Sequence, residues 1–149
     1  MMDPEVKIYT KKPSTLVGEV TVPTPVSQAW KYLTNKARWK GWWGQNLYLK
    51  EWKQGSKARF DLGRSSGEWT ISRFVPEKAI VLSAEHKGFP TSLILKFTLS
   101  AQGPDSTHVK IERVSLTGMM FHSEEENMER RLLKLRSNLG KARKKSSEK

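Results

Sequence analysis

The sequence contains no cysteine, which excludes disulfide frameworks, thiolate nucleophiles and Cys-ligated zinc or iron–sulfur sites. It has no apolar run approaching the length of a membrane span, and no secretory apolar segment follows Met1. A cytoplasmic protein without a membrane span is therefore the expectation. Acidic residues are also scarce, with 15 Asp and Glu against 27 Lys and Arg, and 149 residues leave room for one domain.

The excess positive charge is concentrated in two segments. Residues 31–59 carry eight Lys or Arg and one Glu, and residues 129–149 carry nine Lys or Arg and two Glu. This pattern is typical either of two solvated faces with a basic tail or of a surface that holds a polyanion. If it is a surface for an acidic protein partner, we expect its residues to be Lys36, Arg38, Lys40, Arg130 and Lys134. Nucleic acid is a less favoured partner, because these residues form no known reading motif.

Composition along the chain predicts one domain with two polar ends. Residues 1–14 are polar and contain two prolines, which indicates a flexible N-terminal arm. Residues 15–142 carry the apolar periodicity of a single folded domain. Residues 143–149 are mostly basic and are predicted to form a disordered tail.

The first strand and first helix are predicted close together. Alternation over 15–22 indicates a half-buried strand. Thr24 followed by Pro25 is typical of a helix start, with the threonine as N-cap and proline at the first helical position. Val26, Ala29, Trp30 and Leu33 then give that helix one apolar face. Core packing is therefore expected for Trp30.

Short alternating segments later in the chain predict an antiparallel meander with strands over 47–52, 58–62, 68–75, 79–85, 93–99 and 107–117. Ser123 and Glu126 form a capping box that starts a long final helix. Its apolar face consists of Met128, Leu132, Leu135, Leu139 and Ala142. This helix is the element long enough to cover the apolar face of a curved sheet, and space left between them suits an apolar ligand.

Several segments resemble one known family. The segment 22–34 resembles its passage from first strand to first helix, Trp39 to Gly44 resembles its Trp-Trp-Gly turn, and 67–82 resembles its central hairpin. The family comprises proteins similar to the C-terminal domain of the activator of the heat-shock protein 90 ATPase, in the START-like, birch-pollen-allergen-like (SRPBCC) superfamily. One departure is Gly44-Gln45, where the family pattern has Gly-Pro.

The resemblance implies an α+β helix-grip fold. A curved antiparallel sheet of about seven strands would wrap around the long C-terminal helix, with two short helices after the first strand and a hydrophobic cavity between sheet and helix. Members of the superfamily are ligand carriers, polyketide cyclases and chaperone activators. The leading expectation is a noncatalytic protein that binds a small apolar or aromatic molecule. The alternatives are a chaperone-cofactor-like module that uses the basic surface, and, third, nucleic-acid binding or a cyclase-like enzyme.

The predicted cavity lining combines aromatic, apolar and inward-facing residues: Trp42, Trp43, Phe60, Trp69, Arg73, Phe97, Arg113, Met128 and Leu132. For paired indoles on a glycine-flanked turn, one interpretation is that one ring packs inward and the other lies at the mouth of the cavity. The alternative is that both rings fill the end of the core. Two interpretations are open for Trp69, namely that it lines the cavity or that it packs in the core.

Arg73 and Arg113 are included because their strands break alternation. A break of this kind indicates either a charged side chain that points inward, with Glu68 or Glu112 as a structural partner, or a β-bulge that turns the arginine to solvent. Burial statistics for arginine favour the bulge.

Signals for an enzyme are weak. The three histidines are far apart and lack metal-ligand spacing, and no nucleophile elbow, phosphate loop or dinucleotide fingerprint is present. No catalytic residue, metal site or cofactor is therefore predicted. If the protein were a cyclase-like enzyme, His122, Glu112 and Tyr48 would be the first candidates for its acid or base.

Overall fold

The structure is a computed structural model that describes residues 6–11, 14–44, 46–60, 68–86, 89–115 and 122–147, without the side chains of 60, 85–86, 89–93, 115, 122–124 and 141–147. Its elements in chain order are β1 Val6–Lys11, β2 Thr15–Val22, α1 Val26–Leu33, a 3-10 turn Lys36–Arg38, α2 Trp39–Trp42, β3 Leu47–Leu49, β4 Lys57–Phe60, β5 Glu68–Val75, β6 Ala79–His86, β7 Phe89–Gly103, β8 Ser106–Ser115 and α3 His122–Ser147.

All eight strands form one antiparallel sheet in the order β1-β2-β8-β7-β6-β5-β4-β3. The α+β helix-grip architecture is confirmed, with two short helices after β2 and the long helix α3 at the C-terminal end. About seven strands were expected, and the additional strand is β1.

The expectation of a flexible arm is wrong for residues 6–11. Val6 and Ile8 alternate with polar residues, so this short segment pairs with β2 in register from Val6 opposite Val20 to Lys11 opposite Thr15. Val6 is buried in the core as a result. The two prolines that suggested a loose segment lie outside the described residues.

The basic tail also differs from its prediction. Helix α3 continues to Ser147 and does not end at residue 142. Lysine and arginine are good helix formers, and positive charge is favourable at a helix C-terminus. The expected capping box at Ser123 involves a side chain outside the described part of the structure.

The start of α1 lies one residue later than expected. Pro25 occupies the N-cap position with extended backbone angles, φ −58° and ψ 149°, so Thr24 is not the cap. Instead Thr24 is buried, and its carbonyl accepts a hydrogen bond of 2.7 Å from the hydroxyl of Thr107 in β8. The threonine thus joins the helix start to the sheet.

Helix α3 packs closely on β2 through its apolar face. Met128, Leu132, Leu135 and Leu139 are all buried, as the periodicity predicted. Gly18 in β2 permits the close approach, because a Cβ built there would lie 2.6 Å from Met128 Sδ and 2.7 Å from Leu132 Cδ1. The side of the sheet that contains Gly18 is called the helix-facing side below.

The opposite side of the sheet carries a polar cluster around Glu19. Its carboxylate accepts hydrogen bonds from the Tyr9 hydroxyl and, at 2.7 Å, from Nε2 of His108. The Tyr9 hydrogen bond, with further help from His108, lowers the pKa of Glu19. The same bond raises the pKa of Tyr9 to about 12.

We predict two losses of stability with pH from this cluster. A lowered Glu19 pKa stabilises the fold above the usual glutamate pKa, and that contribution disappears as pH falls through the folded-state value. A raised Tyr9 pKa stabilises it below pH 10, and that contribution decreases as pH rises towards about 12. Urea unfolding across pH should show both losses in the wild type and smaller losses in Glu19→Gln, in which the lowered pKa of Glu112 still contributes on the acid side. Glu51→Gln removes an exposed ion pair with Lys53 and should leave the profile unchanged. Equal profiles for wild type and Glu19→Gln would contradict this assignment.

Candidate functional site

A cluster of aromatic rings lies between the sheet and α3. Trp39, Trp42 and Trp43 come from α2 and its C-terminal end and meet Phe97 of β7. Ring centroids are 4.9 Å apart for Trp39 and Trp42, 5.4 Å for Trp39 and Trp43, and 5.7 Å for Trp43 and Phe97. All four side chains are buried. These separations are in the range of favourable tilted and edge-to-face contacts.

Local sequence explains why three indoles converge at this point. The indole N–H of Trp39 donates a 2.7 Å hydrogen bond to the carbonyl of Leu33, which satisfies an otherwise unpaired group at the end of α1. Gly44 has φ +92° and ends the turn after α2, a conformation that glycine adopts without strain. The chain therefore reverses within six residues and places Trp39, Trp42 and Trp43 on one side.

The indole N–H of Trp42 is a polar group inside this apolar cluster. The indole nitrogen of Trp42 is buried, and no hydrogen-bond acceptor reaches it within the described part of the chain. An unsatisfied buried donor costs about 1–3 kcal/mol relative to a paired one. An ordered water or a bound molecule can supply the acceptor that such a group lacks.

The predicted cavity residues Trp69, Phe97, Met128 and Leu132 are all buried in the same hydrophobic cluster as Trp42 and Trp43. Strand register places Trp69 opposite Ala58 and Ala84, and these small neighbours give the indole room on the sheet. The side chain of Phe60 lies outside the described part of the structure. The side chains of Trp42 and Trp43 are both buried, so neither ring lies alone at the mouth of a cavity. Contact of these residues with a ligand stays a prediction.

The two arginines at the breaks in alternation, Arg73 and Arg113, differ in strand register and in burial. In β5 the register shifts between Ile71 and Arg73, which confirms a bulge there, and Arg73 is exposed. In β8 the pairing is continuous from Ile111 to Arg113, so Arg113 lies on the helix-facing side with Ile111 and is half-buried. The bulge interpretation is therefore right for Arg73 and wrong for Arg113.

A cleft between α2 and α3 contains much of the predicted partner surface. It has a volume of about 250 Å³ and is lined by Lys40, Gly41, Trp42, Trp43, Gly44, Asn127, Arg130, Arg131 and Lys134. We call it the basic cleft. Lys36 and Arg38 do not line it: Lys36 Nζ donates to the carbonyl of Leu49 at 2.6 Å, and Arg38 is exposed on the 3-10 turn.

Arg131 is a member of the cleft that the sequence analysis does not identify. Its guanidinium carbon lies 3.8 Å from the centroid of the Trp43 ring, and its Nε donates to the Trp43 carbonyl at 2.9 Å. The two residues are 88 positions apart. Their pairing depends on how α3 lies against α2, which no local pattern encodes.

We predict that Arg131→Ala lowers the free energy of unfolding by about 1–3 kcal/mol, since it removes a cation–π contact and a charged hydrogen bond. Arg131→Lys should recover less than half, because an ammonium lacks the planar fork that stacks and donates together. Urea unfolding measures both. Arg130→Ala, at an exposed neighbouring position, is expected to change stability by about 0.5 kcal/mol or less. Equal losses for the two alanine variants would contradict the assigned role of Arg131.

The candidate acid–base residues are not brought together. Glu112 in β8 forms a 2.8 Å ion pair with Lys11, and Tyr48 in β3 is half exposed with Arg59 over its ring. Four strands of the sheet lie between β8 and β3. The side chain of His122 lies outside the described residues, and no group of potential metal ligands occurs in the ranges that are described.

Comparison with known proteins supports the fold described above. Residues 23–139 match the model of a family described as Activator of Hsp90 ATPase homolog 1-like protein. A protein from Arthrobacter aurescens shares the fold with TM-score 0.72 and 14% identity, over 92% of each chain. A Mesorhizobium loti protein gives TM-score 0.71 and 16% identity over 85% of this chain and 97% of its own. The Aha1 dimer from Colwellia psychrerythraea gives 0.65 and 14%, over 84% and 95%.

No curated protein matches the sequence at a significant level. Among the described ranges, neither α3 nor any shorter helix has the length and apolar character that a bilayer crossing requires.

Proposed function

Because the chain belongs to the Activator of Hsp90 ATPase homolog 1-like family, we propose that it binds a small apolar or aromatic molecule between the sheet and α3. The observation that carries this proposal is the buried Trp42 indole nitrogen, which has no acceptor within the described residues. A ligand with one hydrogen-bond acceptor and a flat apolar body would satisfy that donor and stack on the neighbouring rings.

The packing of α3 supports this location. The helix makes its sheet contacts mainly with β1 and β2 and is joined to α2 at its other flank. Farther along the same side of the sheet, Ile71, Leu82 and Leu95 are buried in the same hydrophobic cluster as the indoles. A binding region enclosed by apolar side chains with a few polar groups is typical of sites for small hydrophobic molecules.

A binding role needs less from these residues than catalysis does. The acid–base candidates Glu112 and Tyr48 lie on strands far apart in the sheet, and Glu112 is engaged with Lys11. A rate-enhancing proton transfer requires a group within hydrogen-bond reach of the substrate. Binding requires only enclosure and one matched donor, and the buried indole N–H of Trp42 is a donor of this kind.

Native mass spectrometry tests the proposal, with the denatured protein as the mass reference. The purified wild type should carry an additional small-molecule mass that unfolding releases. Occupancy should fall severalfold in Trp42→Phe, which removes the N–H but keeps an aromatic ring. Trp30→Phe is the matched control, because Trp30 packs on Phe74 at 5.4 Å and contributes no unpaired donor. Circular dichroism confirms that each variant is folded.

Two results together would overturn the proposal. The first is a wild-type mass equal to the chain alone under native and denaturing conditions. The second is that no compound in a library of apolar aromatic molecules raises the unfolding midpoint in a saturable manner.

A further inference from the structure

The basic cleft between α2 and α3 has the features of a second binding site. Four of its lining residues carry positive charge, namely Lys40, Arg130, Arg131 and Lys134, and no carboxylate is among the described residues that line it. From this geometry we infer that the basic cleft binds an anionic group, a carboxylate or a phosphate, carried by a small molecule. This inference goes beyond the proposed apolar ligand and does not depend on it.

Two of the four cations have no protein partner in the described part of the chain. Lys40 and Lys134 are exposed and form neither a hydrogen bond nor an ion pair there. The nearest acidic residues along α3, Glu126 and Glu129, border an adjoining groove together with Arg130 and Lys134. No ion pair joins either glutamate to a cation of the cleft. A cleft in which cations outnumber the carboxylates around it favours an anion from outside.

The other two cations are held in place before any ligand arrives. Arg131 is fixed on the ring and carbonyl of Trp43, and Arg130 donates to the side-chain oxygen of Asn127. A preorganised cation loses less conformational entropy on binding than a free one. Arginine and lysine together supply the charged hydrogen bonds that carboxylate and phosphate oxygens accept.

The floor of the cleft allows a close approach. A Cβ added at Gly44 would meet nothing within 4 Å, and one added at Gly41 would meet only Asn138 Nδ2 at 3.9 Å. Asn138 also holds this floor, since its Nδ2 donates to the carbonyl of Gly41 at 3.1 Å and to the Tyr32 hydroxyl at 2.9 Å. A ligand can therefore reach a backbone that is fixed against α1 and α3.

A small molecule fits this site better than a broad protein surface. The cleft is concave, encloses about 250 Å³, and has two indoles on its inner wall. Concave sites with aromatic walls and a few converging charges are typical of small-ligand recognition. The remaining predicted partner-surface residues, Lys36 and Arg38, do not line the cleft.

An NMR titration tests the inference with inorganic phosphate and with acetate, at constant ionic strength. We expect saturable shifts of the Arg131 Nε–H and of the Gly41 and Gly44 amide signals. Lys40→Gln combined with Lys134→Gln should weaken binding at least tenfold. The control pair, Lys7→Gln and Lys50→Gln, removes equal charge at exposed positions away from the cleft and should weaken it less than twofold.

Each outcome has a defined meaning. Saturation by phosphate alone supports the site and identifies a phosphate group, saturation by acetate alone identifies a carboxylate, and saturation by both identifies the shared anionic chemistry. Saturation by neither, or equal weakening in the two double variants, would overturn the inference. A poly-glutamate peptide that binds far more tightly than acetate, through shifts that extend to Lys36 and Arg38, would also overturn it in favour of an acidic protein partner.

Discussion

Replacing Trp39 by alanine is expected to lower the free energy of unfolding by about 3–5 kcal/mol. Trp39 is 1% exposed and contacts the rings of Trp42, Trp43 and Phe97. Its indole N–H is also the hydrogen-bond partner of the Leu33 carbonyl. The substitution therefore leaves a cavity at the centre of the aromatic cluster and an unpaired carbonyl at the end of α1. Equilibrium urea unfolding measures the loss.

Two further variants separate these causes. Trp39→Phe keeps most of the packing and removes the hydrogen bond, so a loss of about 1–2 kcal/mol is expected. Trp52→Ala removes a half-buried ring from the rim of the same cluster and should cost less than Trp39→Ala. A Trp39→Ala loss no greater than that of Trp52→Ala would contradict the central position of Trp39.

The second large effect is expected at Gly18. In Gly18→Ala the new methyl group would lie 2.6 Å from Met128 Sδ and 2.7 Å from Leu132 Cδ1, closer than side-chain atoms pack. Overpacking of this kind costs about 1–3 kcal/mol, because α3 must shift or its side chains must leave their rotamers. The midpoint of urea unfolding should therefore fall, and the slope of the transition should stay unchanged.

A double-mutant cycle tests the cause of that loss. Met128→Ala removes the atoms nearest the new methyl group, so Gly18→Ala should cost less in its presence than in the wild type. Gly41→Ala is the matched control, since Gly41 lies in α2, a Cβ there would make only an ordinary contact of 3.9 Å with Asn138 Nδ2, and the change should be neutral or slightly stabilising. Additive losses at Gly18 and Met128 would show that the two positions do not clash.

Much of the fold could be predicted because its elements have local signals. The apolar face of α1, the limits of β5 and the buried face of α3 follow from periodicity, and the break before Arg73 is indeed a bulge. Strand β1 could not be predicted in the same way. Its alternation spans six residues, and its stability depends on pairing with β2, which is a tertiary interaction.

The candidate site was predictable only in part for the same reason. The charge pattern indicated Lys40, Arg130 and Lys134, and the structure brings these three to one cleft. The stack of Arg131 on Trp43 joins residues far apart in sequence and depends on the packing of α3 against α2. Arg113 shows a second limit of prediction from sequence. A break in alternation has two physical explanations, and only the register of β8 decides between them.

The central claim is that space for an apolar molecule exists between the sheet and α3, and xenon tests it without knowledge of the ligand. Xenon enters apolar cavities of many shapes and shifts the methyl signals that line them. Methyl-labelled protein, refolded from denaturant to remove any bound molecule, should show saturable shifts at Leu82, Leu95 and Leu132. Val17 is equally buried but lies on the opposite side of the sheet, and its methyls should not respond. No response on the helix-facing side, or an equal response at Val17, would contradict the claim.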